Sequence, residues 1–117
     1  MFTLAVVGHR DFHNYKLLCS VLSRVHTPID RIVSGAARGA DTLAARYAKE
    51  HGIDLVEYPA DWGRYGKKAG YLRNRLIVAD ADAMIAFLHP ESRGTRMSVE
   101  LAQEKGIPVY IVHLNED

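Results

Sequence analysis

Five short apolar segments alternate with helical patterns along this chain, and this alternation restricts its fold more than any other feature. The apolar segments are residues 2–7, 32–33, 53–58, 83–88 and 108–112. Apolar residues recur at helical spacing over residues 14–25, between Asp41 and Gly52, and over 71–79 and 95–105. Strands that are apolar throughout are buried on both faces, as in parallel sheets covered by helices. The sequence therefore predicts an α/β fold.

Right-handed crossovers leave few ways to connect these elements. We predict a single three-layer domain over residues 1–117, with a five-stranded parallel sheet in the order 3-2-1-4-5. In such a sheet a ligand binds beyond the carboxyl ends of the strands, where the strand order switches. The first and fourth strands flank that switch, so we expect a binding site beside the loops that follow them.

The composition is that of an ordinary globular protein, with 48% hydrophobic and 25% charged residues and a formal net charge of +1. This charge creates no overall attraction to nucleic acid or to an anionic membrane, so we expect neither as a partner. Cys19 is the single cysteine, which fits a reducing cytoplasm. No apolar segment approaches the ~18 residues of a membrane span, and no signal-peptide pattern follows Met1. We expect a cytoplasmic protein with a polar tail at residues 115–117.

A turn of small residues joins the second apolar segment to the second helix: Ser34, Gly35, Ala36, Ala37, Arg38, Gly39, Ala40 and Asp41. Glycines let the backbone approach a ligand closely, and the N–H groups at a helix start attract anions. Arg38 adds a guanidinium suited to phosphate or carboxylate. Asp41 is either a helix cap or a group that accepts ribose hydroxyls or polarises water. The alternative is that the small residues serve only tight helix–sheet packing.

Two more such turns follow the first and fourth apolar segments: Gly8-His9-Arg10-Asp11 and Ser92-Arg93-Gly94-Thr95. Arg10 either meets a phosphate or pairs with Asp11, and Ser92 and Thr95 either bind a ligand or cap a helix. Several anion-suited turns in one small domain indicate a nucleotide-like ligand. The chain lacks a full dinucleotide fingerprint and a Gly-Lys-Ser/Thr sequence, which argues against an NAD dehydrogenase and a Walker ATPase.

Residues 59–70 form a longer loop, and such loops are usually functional or disordered. Trp62 in this loop either stacks on a base or anchors the loop on the core. Nearby basic residues suit a local anion site or a solvated helix face; they are Arg64, Lys67, Lys68, Arg73 and Arg75. His89 is the best histidine for acid–base chemistry, and no spacing indicates a metal site, a serine triad or a Cys–His pair.

These motifs together resemble the YspA-like branch of the SLOG superfamily, which is named for the SMF/DprA and lonely-guy proteins. They occur in order over nearly the whole chain: Gly8-His9-Arg10, Ser34 to Asp41, Pro59-Ala60-Asp61-Trp62, Lys67-Lys68-Ala69-Gly70, Arg73-Asn74 and Gly94-Thr95. The resemblance implies a Rossmann-like fold and a nucleotide-derived ligand, in a branch found in bacteria and phages. Lonely-guy relatives dimerise through helices beside the site, so it also implies a homodimer or a higher homo-oligomer.

Lonely-guy proteins are nucleoside 5'-monophosphate phosphoribohydrolases, which cleave the N-glycosidic bond. Arg73 matches their functional arginine, but the position of their glutamate falls on Ser98 in this chain. Glu100 lies about 200° further around the helix. A carboxylate usually stabilises the oxocarbenium ion or activates water in such a reaction. Asp41, Asp61 or Glu91 must therefore substitute, or the ligand is bound and not cleaved.

The sequence thus favours two functions: a sensor or sequestering protein for a nucleotide-derived ligand, and a hydrolase of the N-glycosidic bond of a nucleotide. A third, a nucleic-acid-binding function like that of the DNA-loading relatives, is disfavoured by the near-neutral charge. For catalysis we select Asp41, Asp61 and Arg73. No cofactor is firmly implied, although Mg²⁺ can accompany a bound phosphate. For ligand binding we select Gly8, His9, Arg10, Ser34, Gly35, Ala36, Arg38, Gly39, Asp41, Trp62, Lys67, Arg73, Asn74, Ser92, Gly94 and Thr95.

Overall fold

Strands and helices alternate along the chain in the computed structural model, which describes residues 1–115. Glu116 and Asp117, which end the predicted polar tail, lie outside the described residues. The strands are β1 (Thr3–Gly8), β2 (Arg31–Ser34), β3 (Asp54–Glu57), β4 (Ala83–Leu88) and β5 (Val109–His113). The helices are α1 (Tyr15–Leu22), α2 (Ala40–Glu50), α3 (Trp62–Tyr65), α4 (Ala69–Asp80) and α5 (Arg93–Lys105), with a 3₁₀ turn at Gly66–Lys68 between α3 and α4.

The five strands form one parallel sheet in the order β3-β2-β1-β4-β5. This confirms the predicted α/β class and the predicted strand order. β1 is the central strand, and its Ala5 pairs with Val33 of β2 and Met84 of β4. Parallel neighbours need crossover connections, and the helices supply them.

Each face of the sheet has its own apolar core, because side chains point to alternate faces along β1. Leu4 and Val6 belong to the cluster that includes residues of α1 and α2. Ala5 and Val7 belong to the cluster that includes residues of α4 and α5. β1 is therefore packed from both sides, and it carries the loop that follows it to a fixed place at the carboxyl edge.

The helix boundaries differ from the predicted ones. α1 is shorter than residues 14–25, and Asn14 caps it by accepting the Leu17 N–H at 3.0 Å. The predicted loop at 59–70 contains α3 and the 3₁₀ turn. α4 and α5 begin at Ala69 and Arg93, each two residues before the predicted start. A side-chain cap sets the start of α1, whereas α4 and α5 begin without one, and the spacing of apolar residues encodes none of these ends.

Within residues 1–115, no helix combines the length and the apolar character that crossing a membrane requires.

Candidate functional site

A cavity of about 830 Å³ opens at the carboxyl edge of the sheet. The loops after β1, β2, β3 and β4 surround it, and α4 and α5 contribute to its wall. This is the switch point between β1 and β4 that the strand order predicts. Most of the residues selected for ligand binding line it: Gly8, His9, Arg10, Gly35, Ala36, Arg38, Asp41, Trp62, Arg73, Asn74, Ser92, Gly94 and Thr95.

Four of the selected residues do not line this cavity: Ser34, Gly39, Lys67 and Asp61. Ser34 is fully buried at the end of β2, and Lys67 is exposed in the 3₁₀ turn. Gly39 has a φ of 81° and packs its backbone against the loop after β1, where a side chain would not fit. Asp61 caps α3 by accepting the Arg64 N–H at 3.1 Å. Gly39 and Asp61 therefore have structural roles outside the cavity.

Asp41 is not the helix cap that the sequence suggested as one alternative. α2 begins at Ala40 with Gly39 in the cap position, so Asp41 lies inside the first turn. Its buried Oδ2 accepts the N–H groups of Gly35 at 3.2 Å and Ala37 at 3.1 Å. Two of the amides expected to face a ligand are therefore occupied by the protein's own carboxylate.

Burial raises the pKa of the Asp41 carboxyl group to about 6. The hydrogen bond from Ala37, the charge of Arg73 and the hydrogen bond from Gly35 lower the pKa, but desolvation outweighs them. A carboxyl group with a pKa this close to neutrality can give or take a proton under physiological conditions. Asp41 is thus suited to acid–base chemistry in the cavity.

The guanidinium group of Arg73 lies at the cavity wall and is hydrogen-bonded to neighbouring residues. Its Nη1 donates to the Gly35 carbonyl oxygen at 2.6 Å, and its Nε donates to Asn74 Oδ1 at 2.9 Å. Asn74 is buried, and its Nδ2 donates to the Gly94 carbonyl oxygen at 3.4 Å. A Cβ at position 35 would overlap the Arg73 guanidinium, so a larger residue there would displace this side chain. These hydrogen bonds join the turn after β2 to the start of α5.

The first turn of α5 presents uncapped N–H groups at the cavity wall. The Arg96 N–H is bonded to the Ser92 carbonyl oxygen at 3.0 Å, but the Ser92 side chain makes no cap hydrogen bond. The N–H groups of Gly94 and Thr95 therefore have no partner within the helix. Both residues line the cavity, and such a helix start attracts anions.

Arginines from two loops and from the start of α5 add positive charge to the same cavity. Arg10, Arg38 and Arg93 line it, and all three are exposed. Arg38 pairs with Asp11 at 3.5 Å, a contact between exposed groups that contributes little stability. No ion pair within residues 1–115 involves Arg10 or Arg93. These side chains can therefore turn towards an anionic ligand at low cost.

Asp11, His9 and Ser92 form a line of polar groups on the cavity wall. His9 Nδ1 lies 3.2 Å from Ser92 Oγ, and His9 Nε2 lies 3.7 Å from Asp11 Oδ2. No spacing in the sequence indicated this arrangement. His9 and Ser92 are 83 residues apart, and only the pairing of β1 with β4 brings their loops together.

The structure shows where His89 and Ser98, both considered in the sequence analysis, lie relative to the cavity. His89 does not line the cavity; its ring stacks on that of His9, with the centroids 4.3 Å apart. Ser98 lines the cavity at the position of the relatives' glutamate, and its Oγ donates to the Gly94 carbonyl oxygen at 3.2 Å. Glu100 is exposed and does not line the cavity.

Trp62 stands in α3 at the cavity wall with 59% of its surface exposed. The edge of its ring lies close to Gly70 of α4. An exposed indole beside a polar cavity has a face available for stacking on a base. Within residues 1–115, no group of three or more His, Cys, Asp or Glu side chains is arranged to hold a metal ion.

The cavity also has lining residues that the sequence analysis did not select: Val7, Asp11, Ala37, Pro59, Ala60, Ile77, Glu91, Arg93 and Ser98. Most of them are immediate neighbours of selected residues. Ile77 and Ser98 lie three residues beyond Asn74 and Thr95, on the same helix faces. Helical spacing is the signal that would have found these two.

Comparison with known proteins identifies relatives in sequence. Residues 2–65 match the family YAcAr, described as the YspA, cpYpsA-related SLOG family. The chain is 44% identical to the Gene 61 protein of Mycobacterium phage D29 over 84 residues, which is 67% of each protein. Both matches agree with the resemblance noted from the motifs.

The fold is similar to that of DNA processing protein A (DprA) from Streptococcus pneumoniae, with a TM-score of 0.78 and 24% identity. The match covers 99% of this chain and 52% of DprA, so the chain spans about half the length of that protein. Because a protein named for DNA processing shares the fold, the expectation that nucleic acid is not a partner has no support from the fold. The chain belongs to the YspA, cpYpsA-related SLOG family.

Proposed function

We propose that this protein binds a nucleotide or a nucleotide-derived ligand in the cavity, as a sensor or a sequestering protein. Membership of the SLOG family suggests a nucleotide-related function. The observation that carries the proposal is the uncapped start of α5, with the N–H groups of Gly94 and Thr95 at a cavity that Arg10 and Arg93 also line. Helix N–H groups and guanidinium groups together favour phosphate.

The other walls of the cavity suit the rest of a nucleotide. With the phosphate at the start of α5, the exposed face of Trp62 can stack on the base. Asp41 accepts both turn amides through Oδ2, which leaves Oδ1 for a ribose hydroxyl group. In this proposal, the start of α5 binds the phosphate, Trp62 contacts the base and Asp41 contacts the ribose.

Calorimetric titration tests this proposal with nucleoside mono-, di- and triphosphates, NAD, ADP-ribose, cyclic nucleotides and the matching nucleosides, with and without Mg²⁺. Arg10→Ala should weaken the binding of phosphate-bearing ligands about tenfold or more, since a hydrogen bond to a charged group contributes roughly 1.5–3 kcal/mol. Arg38→Ala should act in the same direction but less, because Arg38 is partly engaged by Asp11. Nucleoside binding should change little in either variant.

Arg24→Ala is the matched control, because Arg24 is an exposed arginine beyond the end of α1 that does not line the cavity. Equal affinity of Arg10→Ala and wild type for every phosphate-bearing ligand would refute the phosphate assignment. A single-stranded oligonucleotide belongs in the panel because the fold is shared with DprA. Salt-sensitive binding of that strand, without binding of any mononucleotide, would replace the proposal by a nucleic-acid function.

The raised pKa of Asp41 favours a second candidate, a hydrolase of the N-glycosidic bond. In this reaction a carboxylate stabilises the oxocarbenium ion or activates water, and Asp41 is a carboxylate in the cavity with a pKa near neutrality. Asp61 is the weaker choice because it caps α3 outside the cavity.

Liquid chromatography with mass spectrometry tests this second candidate by following each compound of the panel over time. Wild type should release a free base and a ribose phosphate. Asp41→Asn should abolish this release and still bind ligand, whereas Asp61→Asn should behave as wild type. If wild type changes no compound over hours, the binding proposal stands alone.

A further inference from the structure

The hydroxyl group of Ser92 has an unusual partner for its place in the fold. Ser92 is in the N-cap position of α5, where serine usually accepts an N–H from the first helical turn. Its Oγ instead lies 3.2 Å from His9 Nδ1 and accepts the His89 N–H at 3.3 Å. Ser92 is 7% exposed and lines the cavity. The Ser92 side chain therefore contacts His9 and does not cap α5.

The surroundings of His9 favour proton acceptance at Nδ1. Asp11 lies 3.7 Å from His9 Nε2, which favours the tautomer with its hydrogen on Nε2 and leaves Nδ1 to accept the Ser92 proton. His89 stacks on His9, and its own Nδ1 accepts the Glu91 N–H at 3.1 Å. This hydrogen bond fixes the His89 ring where it stacks on His9.

We propose that Ser92 is a nucleophile, with His9 as its general base, that takes the terminal phosphoryl group of a bound nucleoside polyphosphate. The Ser92 proton passes to His9 Nδ1, a bond forms between Oγ and the phosphorus, and the bond from phosphorus to the bridging oxygen breaks. His9 gives its proton to the departing phosphate oxygen. Water then attacks the phosphoserine, and His9 carries the water proton to Ser92 Oγ as inorganic phosphate leaves.

The cavity wall beside Ser92 suits the charge that develops in this step. The N–H groups of Gly94 and Thr95 follow Ser92 in the first turn of α5, and Arg10 and Arg93 line the same cavity. Donors fixed in this way stabilise developing negative charge on phosphoryl oxygens. The choice of a nucleotide as substrate rests on the proposed function, whereas the reactivity of Ser92 does not.

A fluorophosphonate tests the reactivity of Ser92 without a nucleotide. As Oγ bonds to phosphorus, the P–F bond breaks, fluoride leaves, and the serine proton passes through His9 to solvent. Trypsin places Ser92 in the peptide 76–93, where it is the only hydroxyl-bearing residue, and Ser98 in the peptide 97–105. Ser98 is an internal control, because it lines the same cavity but its hydroxyl donates to a backbone carbonyl.

We expect an adduct on the peptide 76–93, none on 97–105, and no adduct on either peptide when the protein is unfolded in guanidinium chloride. His9→Gln should slow the labelling of Ser92 about 100-fold, as expected for the loss of a general base. Asp11→Asn should slow it by a smaller factor; Asp11 is exposed, so this variant keeps the fold if His9→Gln does not. Absence of labelling, equal labelling of both serines, or a Ser92 rate that neither substitution changes would overturn the proposal.

The substrate class has its own readout, the release of inorganic phosphate from nucleoside triphosphates. Wild type should release phosphate, and Ser92→Ala should not. Nucleotide binding without labelling of Ser92 would overturn this inference and leave the proposed function intact. Labelling of Ser92 without binding of any nucleotide would keep the nucleophile and reject the proposed function and its substrate.

Discussion

The carboxyl group of Asp41 is buried, and the loss of solvation disfavours its charged form. Folding raises the pKa of this carboxyl group from 3.8 to about 6. Between these values the folded state holds a proton that the unfolded state has lost, so the free energy of unfolding falls as the pH rises. The contribution amounts to about 3 kcal/mol, present below pH 3.8 and lost once the pH exceeds about 6.

Asp41→Asn should remove this pH dependence, because the amide keeps a hydrogen-bond acceptor for Gly35 and Ala37 but does not ionise. Relative to wild type, its free energy of unfolding should rise by about 2 kcal/mol between pH 4 and pH 7.5. Urea unfolding at several pH values measures this difference. A constant difference between the two proteins across this range would contradict the raised pKa of Asp41.

Glu50→Gln is a control, because it should change the pH dependence of the free energy of unfolding in the opposite direction. The Tyr15 hydroxyl donates to the Glu50 carboxylate at 2.6 Å and Arg46 Nε donates at 3.1 Å, and these hydrogen bonds lower the pKa of Glu50. A lowered pKa gives stability that is present above the unfolded-state pKa and is lost as the pH falls through the folded-state value. Relative to wild type, Glu50→Gln should therefore lose stability as the pH rises through the lowered pKa of Glu50 towards the unfolded-state value of 4.5.

The residues of the site were easier to predict than their partners. His9, Ser92 and Asp41 lie in the loops or at the helix starts that follow strands, and this position marks them as candidate site residues in a parallel α/β fold. The contact of Ser92 with His9 joins two loops 83 residues apart, so no local pattern indicates it. The sequence also predicted that arginines lie at the site. It did not predict the hydrogen bond that Arg73 donates to the Gly35 carbonyl oxygen.

The turn between β2 and α2 owes its shape to one residue in an uncommon conformation. Ala36 has a φ of 57°, in the left-handed region that costs a non-glycine residue roughly 1–2 kcal/mol. It lies between Gly35 and Ala37, whose N–H groups both point to Asp41. The strain at Ala36 is therefore part of the arrangement that holds the carboxylate at the cavity.

Ala36→Gly should stabilise the protein by about 0.5–1 kcal/mol, because relief of strain exceeds the added backbone entropy of the unfolded chain. Ala37→Gly is the matched control, since Ala37 is an exposed alanine of the same turn without a positive φ. It should destabilise the protein by about 0.5–1 kcal/mol. Denaturant unfolding measures both changes. Equal destabilisation by the two substitutions would mean that Ala36 is not strained.

Strands were predicted closely and short helices were not. The bounds of β4 agree with the apolar segment at residues 83–88, because a buried interior strand has few polar residues to interrupt it. α3 has only four residues, Trp62–Tyr65, none of them buried, so no apolar periodicity indicates it. Its cap by Asp61 is visible only in the structure.

At the scale of the whole molecule, α4 is apolar on more than one side. Ile77 is buried against the sheet, whereas the adjacent Leu76 is 54% exposed and Tyr71 is also exposed. A helix with apolar residues on both sides usually has a second partner. We therefore expect a second copy of the chain to cover the outer side of α4, in agreement with the homodimer that the family resemblance implies.

We predict that the chain dimerises through Leu76 and that Leu76→Glu makes it monomeric, because the substitution places a charge in the apolar contact. Sedimentation velocity at micromolar concentration measures the change. Tyr110→Glu is the matched control, since Tyr110 is 57% exposed on β5, away from α4, and this variant should stay dimeric. A wild-type protein that is monomeric at every concentration would reject the interface.

Because the same helix carries Arg73 and Asn74 on the cavity wall, a dimer through α4 would also fix the position of that wall. Leu76→Glu should then weaken nucleotide binding without altering any residue of the cavity.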